Sequence, residues 1–205
     1  MRPATDVFSE WAQLGKDAGM ESGHAPAVKE ILSGAFEEWG DDNFRSIDAG
    51  CGNGWVVRLL KMMPNCVESM GVDGATSMIV RANEIDPDGT YIDADLSTWN
   101  PDELVDLVHS MEVLYYLDDI PAFLNRVYTH WLRDGGIFAF GIDHYYENAD
   151  CHGWSEKVGV RMAMHSENEW RQMVENSGFK VIRMFRAAQT QEWAGTLTFI
   201  LKKTS

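Results

Sequence analysis

The sequence predicts an α/β protein: a seven-stranded, mostly parallel sheet with helices on both faces and an antiparallel final hairpin. Three observations predict it. Strand-like and helix-like stretches alternate from residue 44 onward. The first strand runs directly into a glycine-rich turn, SIDAGCGNGW at 46–55. The last two strand-like stretches have no convincing helix between them, which makes them an antiparallel pair at the sheet edge.

The elements follow in order. Residues 8–38 read as helical, and AVKEILSGAFEEW sets Val28, Ile31, Leu32, Ala35, Phe36 and Trp39 at helical spacing. Strands are expected at 44–49, 66–72, 90–94, 105–110, 136–142, 179–186 and 195–202. Helices are expected at 54–63, 75–84, 119–132 and 166–177. Pro64 and Pro87 fall just after helical stretches, where helices stop. Ser166 and Glu169 form a capping box at the start of the last helix, and Gly178 ends it. Segment 143–165 shows no secondary structure and reads as a long inserted loop, of the kind that closes over or binds something. No repeat, low-complexity tract or linker interrupts the chain, so a single domain, 1–205, is expected, with a helical segment at 1–40 and a core at 44–202.

Composition narrows the function. With 205 residues, 45% of them hydrophobic, the chain can bury a sizeable core. Its formal net charge is −15 and its pI near 4.7. Such a surface repels phosphate backbones, so nucleic acid is not expected as a partner. No apolar run reaches the roughly 18 residues a membrane span needs, and MRPATDVFSEW lacks the apolar stretch of a secretory signal. Cys51, Cys66 and Cys151 are few and widely spaced, which points to free thiols in a reducing, cytoplasmic setting.

The glycine turn carries the first chemistry. Gly50, Gly52 and Gly54 alternate after Asp48. Glycines permit positive φ and let backbone N–H groups come close to a ligand. A dinucleotide fingerprint, G-x-G-x-x-G, would need a small residue at Trp55, and tryptophan cannot let the helix pack closely on the strand. Asp73, closing the second strand, lies about twenty residues on, where an acid can accept from both hydroxyls of a ribose.

The pattern D-x-G-x-G-x-G at Asp48–Gly54, set after an apolar strand, resembles motif I of the class I S-adenosylmethionine-dependent methyltransferases. The strand ends support the resemblance in order: MGVDGA, YIDADLSTW and DLVHSMEVLYYL. The resemblance covers about residues 44–202 and implies that fold, S-adenosylmethionine as cofactor and S-adenosylhomocysteine as product. It implies that Asp48 sits near the cofactor's amino end and that Gly50, Cys51, Gly52, Gly54 and Gly74 lie against it. It also implies that Asp95, preferred to Asp93 because it stands at the strand's end, accepts from the adenine amino group. Leu96 then meets the ring edge, and Ser110 and Met111 pass under the methionine portion.

The resemblance says less about the acceptor. Methyl transfer is an in-line displacement that demands mainly proximity and alignment, with a base only where the nucleophile must lose a proton. Segment 8–24 resembles the lid of small-molecule methyltransferases, with Met20, Gly23 and His24 expected just before the helix. His24 reads equally as a base or as a helix cap. Tyr115, Asp143, His144 and Tyr145 are expected to face the acceptor, and 143–165 to form an acceptor loop. Aromatics there suit a cationic amine as well. Asp143, His144, Asp150, Cys151 and His152 match no zinc pattern, so no metal is expected. The expected partner is a small-molecule methyl acceptor, bound by a monomer or homodimer. Alternatives are a protein or tRNA acceptor, a non-catalytic S-adenosylmethionine-binding protein, and, last, an NAD(P)-binding protein.

Overall fold

The computed structural model describes residues 1–204. Helices α1 (Ala4–Gln13) and α2 (Ala18–Trp39) precede the sheet. Its strands are β1 (Phe44–Ala49), β2 (Cys66–Asp73), β3 (Thr90–Asp93), β4 (Val105–Met111), β5 (Leu132–Ile142), β6 (Lys180–Ala187) and β7 (Thr196–Lys202). Between them lie α3 (Trp55–Lys61), α4 (Thr76–Ile85), α5 (Ile120–Arg126), α6 (Trp154–Val158) and α7 (Glu167–Asn176).

The strand order is β3-β2-β1-β4-β5-β7-β6. β1 pairs in parallel with β2 on one side and β4 on the other. The winding therefore changes direction between β1 and β4, and in such sheets the crevice beyond the strands' carboxyl ends at that point is where ligands bind. β7 enters antiparallel between β5 and β6, which is the expected final hairpin.

Both sheet faces are covered, as buried parallel strands require. On one face α2 lays Val28, Ile31 and Ala35 against Phe44, Ile137 and Ile200. On the other, Phe123, Trp131 and Trp170 pack among Phe138, Phe140 and Phe199. Phe140 and Phe199 stack across neighbouring strands with centroids 5.0 Å apart.

Several elements differ from expectation. The helix expected at 119–132 ends at Arg126 and widens into a π-helical turn, Val127–Trp131. That turn swings the Trp131 indole inward, where its N–H reaches the Trp99 carbonyl and the Asn100 amide oxygen, both at 3.3 Å. β5 starts at Leu132 rather than 136. β3 ends at Asp93, so Asp95 stands in the turn beyond it. Met20, Gly23 and His24 lie inside α2, not before it, although Gly19, Gly23 and Pro26 all disfavour a helix there. The segment 143–165 holds a 3₁₀ turn, Ala149–Cys151, and the short helix α6.

The capping box on α7 is present: Glu169 N–H donates to Ser166 Oγ at 3.3 Å, and Ser166 N–H to the Glu169 carboxylate at 2.7 Å. Ser166→Ala should therefore cost about 1 kcal/mol in urea unfolding with an unchanged m-value. A loss below about 0.3 kcal/mol would show that the cap is redundant.

Candidate active site

A cavity of about 1290 Å³ opens at the carboxyl ends of β1, β2, β3 and β4. Its floor depends on the turn after β1. Gly50 has φ 77°, and a Cβ there would lie 2.2 Å from Val113, so the turn can lie against the loop after β4 only with glycine at this position. Gly50 and Cys51 N–H both donate to the Val72 carbonyl at 2.7 and 3.1 Å. Asp73 then ties the turn to the next one. Gly52 N–H donates to Oδ2 at 2.9 Å and Ala75 N–H to Oδ1 at 2.8 Å. Burial pushes the Asp73 carboxyl up, and these two donors act against that.

Beneath the turn, Asp48 Oδ1 lies 2.7 Å from His109 Nδ1, with both side chains buried. His109, within β4, is thus the partner that orients Asp48. Above the turn, Asn53 donates to Asp17 Oδ2 at 3.0 Å and moors the start of α2. Phe8 and Trp11 of α1 form the roof, and the Phe8 ring meets Tyr116 at 5.2 Å. Arg2 N–H donates to the Gly159 carbonyl at 3.0 Å, so the N-terminal segment meets the segment 143–165 over the cavity.

The far wall is acidic. Glu112 follows β4 with φ 60°, a conformation non-glycine residues rarely adopt. The Tyr115 hydroxyl donates to its Oε2 at 2.7 Å, and Asp143 N–H donates to its Oε1. Burial, then the nearby Asp143 charge, pushes the Glu112 carboxyl well above the usual range. Burial raises Asp143 as well, while it lowers His24 against the pull of the nearby Asp143 charge. Tyr115 is pushed well up by burial and by Glu112.

The sheet order and the glycine-turn cavity define a class I S-adenosylmethionine-dependent methyltransferase fold. The chain belongs to the methyltransferase domain family, whose model matches residues 11–184. It is 32% identical over 107 residues to a trans-aconitate 2-methyltransferase of Azoarcus sp. (strain BH72), a match covering 52% of this chain and 42% of that one. A Rhizobium rhizogenes protein of the same name is 33% identical over 95 residues, 46% of this chain and 37% of its own. The matches thus span less than half the length of these curated relatives. Among solved structures, a chain of the complex between the Haloferax volcanii Trm112 methyltransferase activator and a methyltransferase superposes with TM-score 0.85 at 24% identity, covering all of both chains. The N-methyltransferase NodS of Bradyrhizobium japonicum WM9, in complex with S-adenosylhomocysteine, superposes with TM-score 0.67 at 18% identity, covering 86% of this chain and 85% of that one.

Most of the residues expected to touch the cofactor line the cavity: Asp48, Gly50, Cys51 and Gly52 from the first turn, Asp73 and Gly74 from the second. Asp95 and Leu96 line it too, as does Asp93, the candidate set aside in favour of Asp95. Two do not. Gly54 caps α3 with φ 78°, and a Cβ there would sit 2.3 Å from the Tyr91 ring, so its role is packing behind the turn. The Ser110 hydroxyl is buried and donates to the Ala49 carbonyl at 2.8 Å, holding β4 to β1.

On the acceptor side His24 and Tyr115 line the cavity, whereas Asp143, His144 and Tyr145 do not. Tyr145 is fully buried, its hydroxyl donating to the Gly195 carbonyl at 2.8 Å and its ring lying 4.1 Å from the Arg186 guanidinium. His144 pairs with the Ala163 carbonyl at 3.2 Å and packs behind Tyr115. Asp143 stands behind Glu112 and His24. Glu112 went unread in the sequence. Its signal was available: it is an acid just past an apolar strand, the same feature that marks Asp48 and Asp73.

Burial disfavours the thiolate form of all three cysteines. Burial raises the Cys51 thiol far up, pushes Cys151 to about 12, and raises the half-buried Cys66 least securely enclosed of the three. In the native protein at pH 8, iodoacetamide should therefore modify Cys66 first, and Cys51 and Cys151 only after unfolding. Peptide mass mapping that finds Cys51 labelled as fast as Cys66 would contradict this.

Proposed function

We propose that the chain transfers the methyl group of S-adenosylmethionine to a small neutral or cationic acceptor. The observation that carries the reading is the cavity itself: pinned glycine turn below, aromatic roof above, acids on its walls. Among the described residues, the arginines and lysines lining it are Arg2 and Arg161 alone, already paired with Glu10 at 2.6 Å and Asp118 at 2.9 Å.

The residues present fit the cofactor. A Cβ at Gly52 would meet only the Met20 methyl, at 3.5 Å, so the bare backbone there leaves room for close approach. Each Asp73 oxygen accepts one backbone N–H and retains a lone pair for a vicinal diol. Asp48 serves the cofactor's amino end, and Asp95 and Leu96 its adenine. When bound, S-adenosylmethionine supplies an already activated methyl group. The chain's own share is alignment and exclusion of water. Residues 1–40 act as a lid, 44–202 as the cofactor-binding core, and 143–165 closes the acceptor side. Where the acceptor carries a proton, neutral His24 on the cavity wall is placed to take it. Three free cysteines suit work in a reducing cytoplasm, and no helix among the described residues is long and apolar enough to cross a membrane.

Asp73→Ala should weaken S-adenosylhomocysteine binding at least tenfold, about 1.4 kcal/mol, in a calorimetric titration. Asp73→Asn, which preserves shape, should fall between the two, and a melting curve on each variant separates lost binding from lost fold. Unchanged affinity would mean that the ribose lies elsewhere.

The acceptor is tested with methyl-labelled S-adenosylmethionine and cell extract, fractionated by size, with trans-aconitate assayed beside it. Label should enter the small-molecule fraction, with trans-aconitate a poor acceptor because its three carboxylates meet an acid-lined wall. Label in protein or RNA would overturn the reading. The assay is repeated with an added Trm112-type activator, because the Haloferax volcanii structural neighbour is in complex with one, and turnover that appears only then would overturn the reading of a chain that acts alone.

A further inference from the structure

Three side chains from three separate elements converge behind the acceptor wall. His24 comes from α2, Glu112 from the end of β4, and Asp143 from the end of β5. One donor atom of each lies within 4.8 Å of the others. We propose that His24, Glu112 and Asp143 bind a divalent cation of the manganese or zinc kind, with its remaining positions open to the cavity.

The distances suit a cation. Bonds of about 2.0–2.2 Å put two donors on one ion at most roughly 4.4 Å apart, so the cluster needs to close by only a few tenths of an ångström. The donor set narrows the ion. Two carboxylates and one imidazole are too nitrogen-poor and sulfur-free for copper(I), while the imidazole favours manganese or zinc over magnesium or calcium.

A second observation points the same way. Asp143 is 7% exposed, and its Oδ1 has no hydrogen-bond partner. Buried polar atoms without partners are uncommon and ask for an unseen one. Neither Glu112 nor Asp143 is ion-paired to a lysine or arginine among the described residues, so two neighbouring buried acids lack a countercharge that a dication would supply.

Glu112 is prepared as a ligand is prepared. The Tyr115 hydroxyl and the Asp143 N–H each occupy one lone pair of its two oxygens. That fixes the carboxylate and leaves further lone pairs for the ion, as supporting hydrogen bonds do around ligating groups. His24 and Glu112 both line the cavity, so the open positions would take water or an oxygen donor of the acceptor, and with the ion bound a water on it, in place of His24, would take any proton the acceptor loses. Only the acceptor's part in this rests on the methyl-transfer reading.

The test uses the full chain stripped with a chelator, without cofactor, and Mn²⁺ alone. Electron paramagnetic resonance should show loss of the free-ion signal up to one ion per chain, and Zn²⁺ should displace it. His24→Ala and Asp143→Asn should each weaken Mn²⁺ binding at least tenfold while melting as cooperatively as the parent. Asp143→Asn should leave S-adenosylhomocysteine affinity unchanged, which separates this site from the cofactor site. No Mn²⁺ or Zn²⁺ binding by the parent chain, or binding equally tight in both variants, would overturn the proposal.

Discussion

Asp73 holds two chain reversals together, one carboxylate oxygen accepting from Gly52 and the other from Ala75. β1 and β2 would run side by side without it. What it adds is the relation between the turns that leave them. The loop Gly50–Gly54 then lies at a set height above the sheet, and other parts hang from it. Val113 packs over Gly50 from the β4 side, Asp17 hooks onto Asn53 from the lid side, and Asp48 rests on His109 beneath. An acid is suited to this place because it satisfies two backbone donors at once and still has acceptor capacity facing the cavity. Burying it is costly, and its raised carboxyl records that cost against the two donors that offset it.

The same balance of burial against partnership distinguishes the two ends of the cavity. At the cofactor end each buried acid has a partner: Asp73 its two N–H donors, Asp48 the His109 ring. At the acceptor end Glu112 also has two donors, the Tyr115 hydroxyl and the Asp143 N–H, but Asp143 beside it leaves one buried oxygen without a partner. Structural acids in a protein interior are normally satisfied, and perturbed, unsatisfied ones collect where function needs them. The two ends of the cavity thus differ in one respect: only the second leaves a buried acid oxygen unpaired.

How much of this was legible in the sequence depended on whether a residue's job left a pattern. Strand number and strand positions were readable because buried strands are apolar runs broken by glycine and proline. The ends of elements slipped by a few residues, most at Trp131, where a π-helical turn replaced the last turn of a regular helix to seat one indole. Among the expected site residues, Asp48, Asp73 and the first two glycines do line the cavity, and their strand-end position and glycine spacing mark them in the sequence. Glu112 bears the same mark but sits among MEVLYYL, where apolar neighbours suggested core. Ser110, Gly54 and Tyr145 have suitable chemistry and suitable positions along the chain, yet each faces away from the cavity. Which way a side chain points at a strand end depends on the pleat and on the turn that follows, and neither is written in composition.

The N-terminal helix shows why the start of α2 could not be told from its sequence. Asp17, Met20, His24, Val28, Ile31 and Ala35 follow one another at steps of three or four, which places them along one face of α2. The later half of that stripe is apolar and buries against β5, β6 and β7, so it announces a helix. The earlier half continues the same stripe over the cavity, where a moored aspartate, a methionine and a histidine replace the apolar residues, and glycines fill the solvent side. Hydrophobic periodicity fades where the helix leaves the core and begins to wall the site. Because His24 rides on this half, the trio with Glu112 and Asp143 is complete only while α2 lies down over the cavity, held by Asp17 on Asn53. One helix face therefore both covers the cavity and brings the His24 imidazole to Glu112 and Asp143.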